Sequence, residues 1–165
     1  MKSHLLIFGI ILFAFASCKP KQEITKKTND NERINRYFPE ILGDLVCNLP
    51  REEVIAKRPN LASINYVNDA FSFRKEFVED INAEGIKKII YYFDTDNHKP
   101  FYETIIVYDN EKKRDEEATR LLGPPNSENA TEWELNSRQG YIIKAWKFEN
   151  KLVLAAQIKG TEWEE

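Results

Sequence analysis

Apolar positions along the 165-residue chain change their spacing several times, and each change marks a different element. Residues 5–16 are apolar apart from Gly9, whereas residues 19–32 (KPKQEITKKTNDNE) hold one aliphatic side chain, Ile24. From Ile34 the apolar density rises through Tyr37, Phe38, Ile41, Leu42, Leu45 and Val46, and Pro39 and Gly43 forbid one long helix there. Residues 49–60 read as a short helix. Pro50 suits its first turn, Glu52 and Glu53 face the positive end of the dipole, Lys57 and Arg58 face the negative end, and Pro59 stops it. A second helix is predicted over 115–122, with Asp115 as cap, Glu116 and Glu117 in the first turn, and Gly123 as the left-handed closing residue.

Alternation with period two predicts strands over 71–77, carrying Phe71, Phe73 and Phe77, and over 131–135, carrying Trp133 and Leu135. Further strands are expected over 85–94, 101–108, 140–149 and 151–158. In the last of these Leu152, Leu154, Ala156 and Ile158 alternate without exception, so one face packs on helices. Glu149-Asn150 reads as a tight hairpin in which Asn supplies the positive φ, and residues 94–100 as a longer loop. The order helix, strand, strand, strand therefore occurs twice, and both helices run into Pro-Asn, at Pro59-Asn60 and Pro125-Asn126. Setting Gly85 on Gly140 pairs Tyr91 with Trp146 and Phe93 with Phe148. The expected fold is α+β, with two tandem helix–strand–strand–strand repeats forming an antiparallel sheet and the helices packed on one face. Two such units bury a continuous core that one three-stranded unit could not. The chain then divides into a leader (1–17), a flexible tether (18–32), an N-terminal segment with the first repeat (33–109), and the second repeat (110–165).

The apolar run at 5–16 has the roughly 7–15 residues of a signal-peptide core and falls short of the ~20 residues of a membrane span. It ends Phe15-Ala16-Ser17-Cys18, which resembles the bacterial lipobox in its usual form Leu-Ala/Ser-Gly/Ala-Cys, with Phe15 in place of Leu and Ser17 in place of Gly or Ala. The resemblance implies that Cys18 takes a diacylglyceryl thioether, becomes the mature N-terminus and is acylated again on its amine. Two or more chains hold a protein on a bilayer stably, one only marginally. The alternatives are an ordinary secretory leader cut near Ser17 or an uncleaved anchor. Lys19 directly after the cysteine implies the outer membrane, with leaflet undetermined. Lys19, Lys21, Lys26 and Lys27 read more simply as part of a solvated spacer than as a headgroup contact.

Composition narrows the partners. The 24 basic and 27 acidic side chains give a net charge of −3, which argues against nucleic acid. With Cys18 acylated, Cys47 has no disulfide partner, and its neighbours Leu45 and Val46 point to a buried, inert thiol. Beyond the leader there is one histidine, His98, in a predicted turn, so neither a nucleophile with its base nor a zinc ligand set is expected. Asp94-Thr95-Asp96-Asn97 begins like a calcium loop, but Lys99 and Ile105 stand where Gly and Glu belong. No catalytic, cofactor-binding or metal-binding residue is assigned, and an enzyme is not expected.

Leu49-Pro50-Arg51-Glu52-Glu53-Val54, and Leu121-Leu122-Gly123-Pro124-Pro125-Asn126 followed by Trp133, resemble two related groups. One is the tandem-repeat β-lactamase inhibitory protein. The other is the small helix-and-hairpin lipoprotein of the outer-membrane β-barrel assembly machinery. Over about residues 45–160 the resemblance implies a protein-binding scaffold, and no partner-contacting residue carries over. Tyr91 and Phe93 share one face of their strand, Tyr92 lies on the other, and Tyr102 and Tyr108 share a face of the next. These rings either fill the core or make an exposed aromatic surface for a partner. On the second reading the candidate protein-binding residues are Tyr91, Tyr92, Tyr102 and Trp146. Trp163, near the C-terminus, either anchors the tail or projects outward. The expected function is a lipid-anchored cell-envelope protein that binds another envelope protein. The alternative is a binder of a small ligand or cell-wall fragment.

Overall fold

The computed structural model describes residues 36–64, 74–94 and 100–164, and these form an α+β fold. Its strands are β1 (Ala62–Ile64), β2 (Arg74–Ala83), β3 (Ile86–Asp94), β4 (Phe101–Tyr108), β5 (Glu132–Asn136), β6 (Ile142–Phe148) and β7 (Lys151–Ala156), and its helices are α1 (Arg51–Lys57) and α2 (Glu111–Leu122). All the strands join one antiparallel sheet in the order β1-β2-β3-β4-β7-β6-β5. The lipidation candidate Cys18, the tether, Phe71, Phe73 and His98 lie outside the described residues.

One face of the sheet carries the core. Phe77, Tyr91, Thr104, Leu154, Ala145 and Trp133 are successive cross-strand partners from β2 to β5, and all are buried. Phe38, Leu42 and Leu45 from the N-terminal segment, Val54 of α1, and Ala118 and Leu122 of α2 complete the core on that side. Pro39 and Gly43 flank a single 3₁₀ turn, Glu40–Leu42, as the punctuation of the sequence requires.

Several boundaries move for identifiable reasons. In α1, Pro50 sits at the N-cap position, and its carbonyl accepts from Glu53 and Val54. The second helix starts four residues before Asp115, capped by the Asn110 side chain on the Lys113 N–H at 2.9 Å. Its first turn, Glu-Lys-Lys-Arg, has no apolar residue for periodicity to register. Charge spacing supports it instead: Lys113 pairs with Glu117 at 3.1 Å, and Arg114 with Glu111 at 3.7 Å. Glu116 and Glu117 are thus mid-helix, not at its start. In the β6–β7 hairpin the positive φ, 51°, falls on Glu149 and not on Asn150, whose side chain instead reaches the Tyr108 carbonyl. Strand β2 runs past Phe77, where the Phe alternation ends, to Ala83, and it buries a carboxylate, Glu79, that an apolar count passes over.

Both Pro-Asn segments lead into a chain that borders the first strand of the following meander. After Pro59-Asn60, β1 pairs with β2. After Pro125, the Asn126 carboxamide takes the Glu134 N–H and donates to the Glu134 carbonyl, both at 2.8 Å. The backbone N–H groups of Asn126 and Ser127 both reach the Glu132 carbonyl. The side chain of Asn126 thereby stands in for a strand at the β5 edge.

A buried ion pair fastens α1 and the N-terminal segment to the sheet. At the end of α1, the Arg58 guanidinium meets Glu79 at 2.7 Å and donates to the Ile41 carbonyl at 3.0 Å, while the Tyr91 hydroxyl donates to the same carboxylate at 2.9 Å. Glu79 is buried, so removing its cation leaves an uncompensated charge. Arg58→Ala is expected to cost about 3 kcal/mol in urea denaturation. A loss under about 1 kcal/mol would assign the pair to the class of exposed salt bridges.

Candidate functional site

Antiparallel pairing fixes what the opposite face presents. One row runs Val78, Ile90, Ile105, Val153, Trp146 and Glu132 across six strands. Val153 is buried, and the other apolar members of the row are half-buried. The adjacent row is Glu76, Tyr92, Glu103, Ala155, Lys144 and Glu134. The face is therefore an apolar stripe beside a stripe of carboxylates, one tyrosine and one lysine.

The chain's own C-terminal segment lies over one part of this face. Past β7, Gln157 still bonds through its N–H to the Ile142 carbonyl, and a turn closed by Thr161 on Ile158 redirects the backbone. Trp163 then donates its indole N–H to Glu103 at 2.7 Å, and its ring packs on Trp146 with centroids 5.4 Å apart. Glu162 accepts from the Tyr102 hydroxyl at 3.0 Å and lies 3.6 Å from Arg74, whose guanidinium stacks over Tyr92. Tyr92 in turn donates to Glu76 at 3.2 Å.

The four aromatic candidates fare differently. Tyr91 is fully buried on the core face, tied to Glu79, and presents nothing outward. Tyr102 is also fully buried, but on the outer side beneath Glu162. A register shift between β3 and β4 brings Tyr92 opposite Glu103 and Phe93 opposite Phe101, leaving Tyr102 as the extra residue. That bulge resets the alternation, so Tyr102 and Tyr108 do not share a face as period two predicts. Tyr92 stands on the outer face but is buried, and Trp146 is half-buried against Trp163. An exposed aromatic surface is thus absent among these four rings. The pairing of Tyr91 with Trp146 and of Phe93 with Phe148 also fails, since Phe93 is in the core while Phe148 is 57% exposed. Shifting by one residue sets Tyr92 on Trp146, which do occupy the same face.

The residues that periodicity missed are Arg74, Glu76, Glu103 and Glu162. Glu103 had a signal: it is the lone charge in Phe101-Tyr102-Glu103-Thr104-Ile105, where a solvated carboxylate has no place. Burial pushes its carboxyl up to about 6, and nearby Glu162 adds to the rise, while the Trp163 indole and Arg74 pull the other way. Burial likewise raises Glu76 and, strongly, the Tyr92 and Tyr102 phenols. Cys47 is buried, with its thiol raised by desolvation, and donates weakly to the Tyr102 carbonyl, as an inert thiol would.

Beside the Trp146–Trp163 contact lies an open cleft of about 410 Å³, bordered by Glu132, Trp133, Glu134 and Lys144. Among the described residues no group of three or more His, Cys, Asp or Glu side chains could hold a metal ion, and no helix is long and apolar enough to cross a membrane. No protein-family model, curated protein or solved structure matches the chain.

The carboxyl of Glu103 makes this face sensitive to pH. Its pKa lies above the ordinary value of 4.5, so its stabilising contribution is full below that value and is lost as pH rises through about 6. Stability is expected to rise as pH falls from 7 to 5, by about 1 kcal/mol. In Glu103→Gln this rise should shrink by most of that amount, as read from paired urea titrations at the two pH values. An unchanged pH response in the variant would remove Glu103 as its source.

Proposed function

We propose that this protein is a lipid-anchored, non-enzymatic component of the cell envelope. It is held at the bilayer through Cys18 and docks another envelope protein on the sheet face that the helices leave open. The observation that carries the reading is the half-exposed apolar row Val78, Ile90, Ile105 and Trp146, set on the side away from α1 and α2. Several aliphatic side chains side by side on a solvent-facing sheet favour a partner that removes them from water. The lipobox-like Phe15-Ala16-Ser17-Cys18 supports the address.

In this reading the body is a pair of related helix-and-sheet units. Supporting it, β2-β3-β4 and β5-β6-β7 are successive meanders whose last strands pair with each other, and each follows a helix and a Pro-Asn segment. This order is the basis on which the β-lactamase inhibitory protein and the barrel-assembly lipoprotein serve as analogies for a binding scaffold. A second reading, a small-ligand or cell-wall-fragment binder, draws on the cleft beside Trp146 and Trp163, whose volume is within the usual range for ligand pockets.

Two measurements test the proposal. Mass spectrometry of the mature N-terminus should find an acylated Cys18, and a free thiol there would remove the anchor. A photocrosslinking side chain at Ile90 or Ile105 should yield one common protein adduct in native membranes, which the same group at Lys112 or Glu116 on α2 does not. Equal labelling from both sides, or none from the sheet face, rejects the docking surface.

A further inference from the structure

The segment 158–164 makes the kind of contacts on the outer face that a bound peptide would make. Its recognition groups come in a fixed order. Glu162 faces Arg74 and the Tyr102 hydroxyl, and Trp163 fills the space over Trp146 while its indole N–H meets Glu103. The receptor side of each contact belongs to the sheet: Arg74 on β2, Tyr102 and Glu103 on β4, and Trp146 on β6. Glu103 is only 4% exposed, so a residue that fills the site without an N–H donor leaves a buried carboxylate unsatisfied. That requirement selects Trp over Phe. The cation and the phenol select an acidic residue directly before it.

The segment's own hold is limited. Glu162 and Glu164 are exposed, Trp163 is half-buried, and the backbone from 159 to 164 pairs with no strand. Ile158 packs on the core and Thr161 is buried, so the segment is rooted there. Beyond Thr161 it is held by one ring, one indole bond and an exposed carboxylate, and that part belongs to the low-stability end of a fold, where local opening comes easily. Opening would uncover Tyr102, Glu103 and Trp146 together.

We propose that this part of the sheet face is a docking site for an acidic–tryptophan peptide, Glu-Trp in its simplest form, and that the chain's own C-terminal segment occupies the site until such a partner displaces it. The inference rests on the protein-binding reading above and specifies the partner's chemistry.

The test uses the full mature chain in detergent and a fluorescent peptide of residues 158–165, IKGTEWEE, followed by anisotropy. The wild-type chain should bind it weakly, because its own segment competes. A Trp163→Ala chain should bind it at least tenfold more tightly, and a peptide with Ala at the Trp position should lose that binding. Circular dichroism checks that the variant is folded. If it is not, Glu162→Gln, which keeps the ring and gives up the ion pair with Arg74, should show the same direction with a smaller gain. The proposal is overturned if the folded variant binds no more tightly than wild type, or if the Ala peptide binds as well as the Trp peptide. Failure here with the Ile90 and Ile105 adducts intact removes only the peptide chemistry. Loss of those adducts strikes the broader docking surface.

Discussion

Five residue pairs, from Glu103 opposite Ala155 to Val107 opposite Lys151, join β4 to β7 and through them join one meander to the other. Alone, the first meander with β1 would be a four-stranded sheet and the second a three-stranded one, each with a strand of the core, β4 or β7, at an unpaired edge. Together they place Thr104, Ile106, Leu152 and Leu154 at the centre of a sheet wide enough for both helices and the N-terminal segment to cover. The register of this pair decides more than stability. A slip of one residue would send Leu154 to the open face and Ala155 to the core, and would separate Glu103 from the small residue that leaves room beside it. Both the core and the candidate site therefore follow from the β4–β7 alignment.

Apart from the three-residue β1, too short to show a period, the order of elements was legible because its signals are local. Pro50 and Pro59 bracket α1, Gly123 closes α2, and alternation marks β7. The allocation of aromatic rings was not legible for the same reason. Tyr102 changes face through a bulge that depends on how β3 and β4 meet, which no window of one strand contains. The start of α2 was hidden because its first turn is held by charge and by Asn110, and hydrophobic spacing is blind to both. Matching Gly85 to Gly140 set rings of opposite sheet faces against each other. Gly85 ends a tight hairpin between β2 and β3, whereas Gly140 ends a longer loop between β5 and β6.

Two buried carboxylates show how the faces differ. Glu79, on the core side, is met by Arg58 and Tyr91, and its role is to fix α1 and the Ile41 backbone to β2. Glu103, on the open side, has no ion pair at contact distance among the described residues. A neutral indole is its hydrogen-bond partner, and its charged form is disfavoured accordingly. A cation-matched carboxylate is a structural fastener. One matched by an indole from a short terminal segment depends on that segment staying in place.

The treatment of the sheet edge explains why the face is the surface to consider. Strand addition is a common way for an open antiparallel sheet to take a peptide, and it requires free backbone groups along an edge strand. On β5 those groups are already in use. The Glu132 carbonyl accepts from residues 126 and 127, both backbone groups of Glu134 bond the Asn126 carboxamide, and the Asn136 carbonyl accepts from the Tyr37 hydroxyl. A peptide arriving at this edge would have to strip each of these bonds before forming its own, with little net gain. The open face presents the opposite case. There, half-exposed aliphatic side chains gain by leaving water, and among the described residues the segment that covers part of it is short and partly exposed. The geometry of β5 thus closes that edge to strand addition, and the docking surface proposed above is a side-chain face, not an edge.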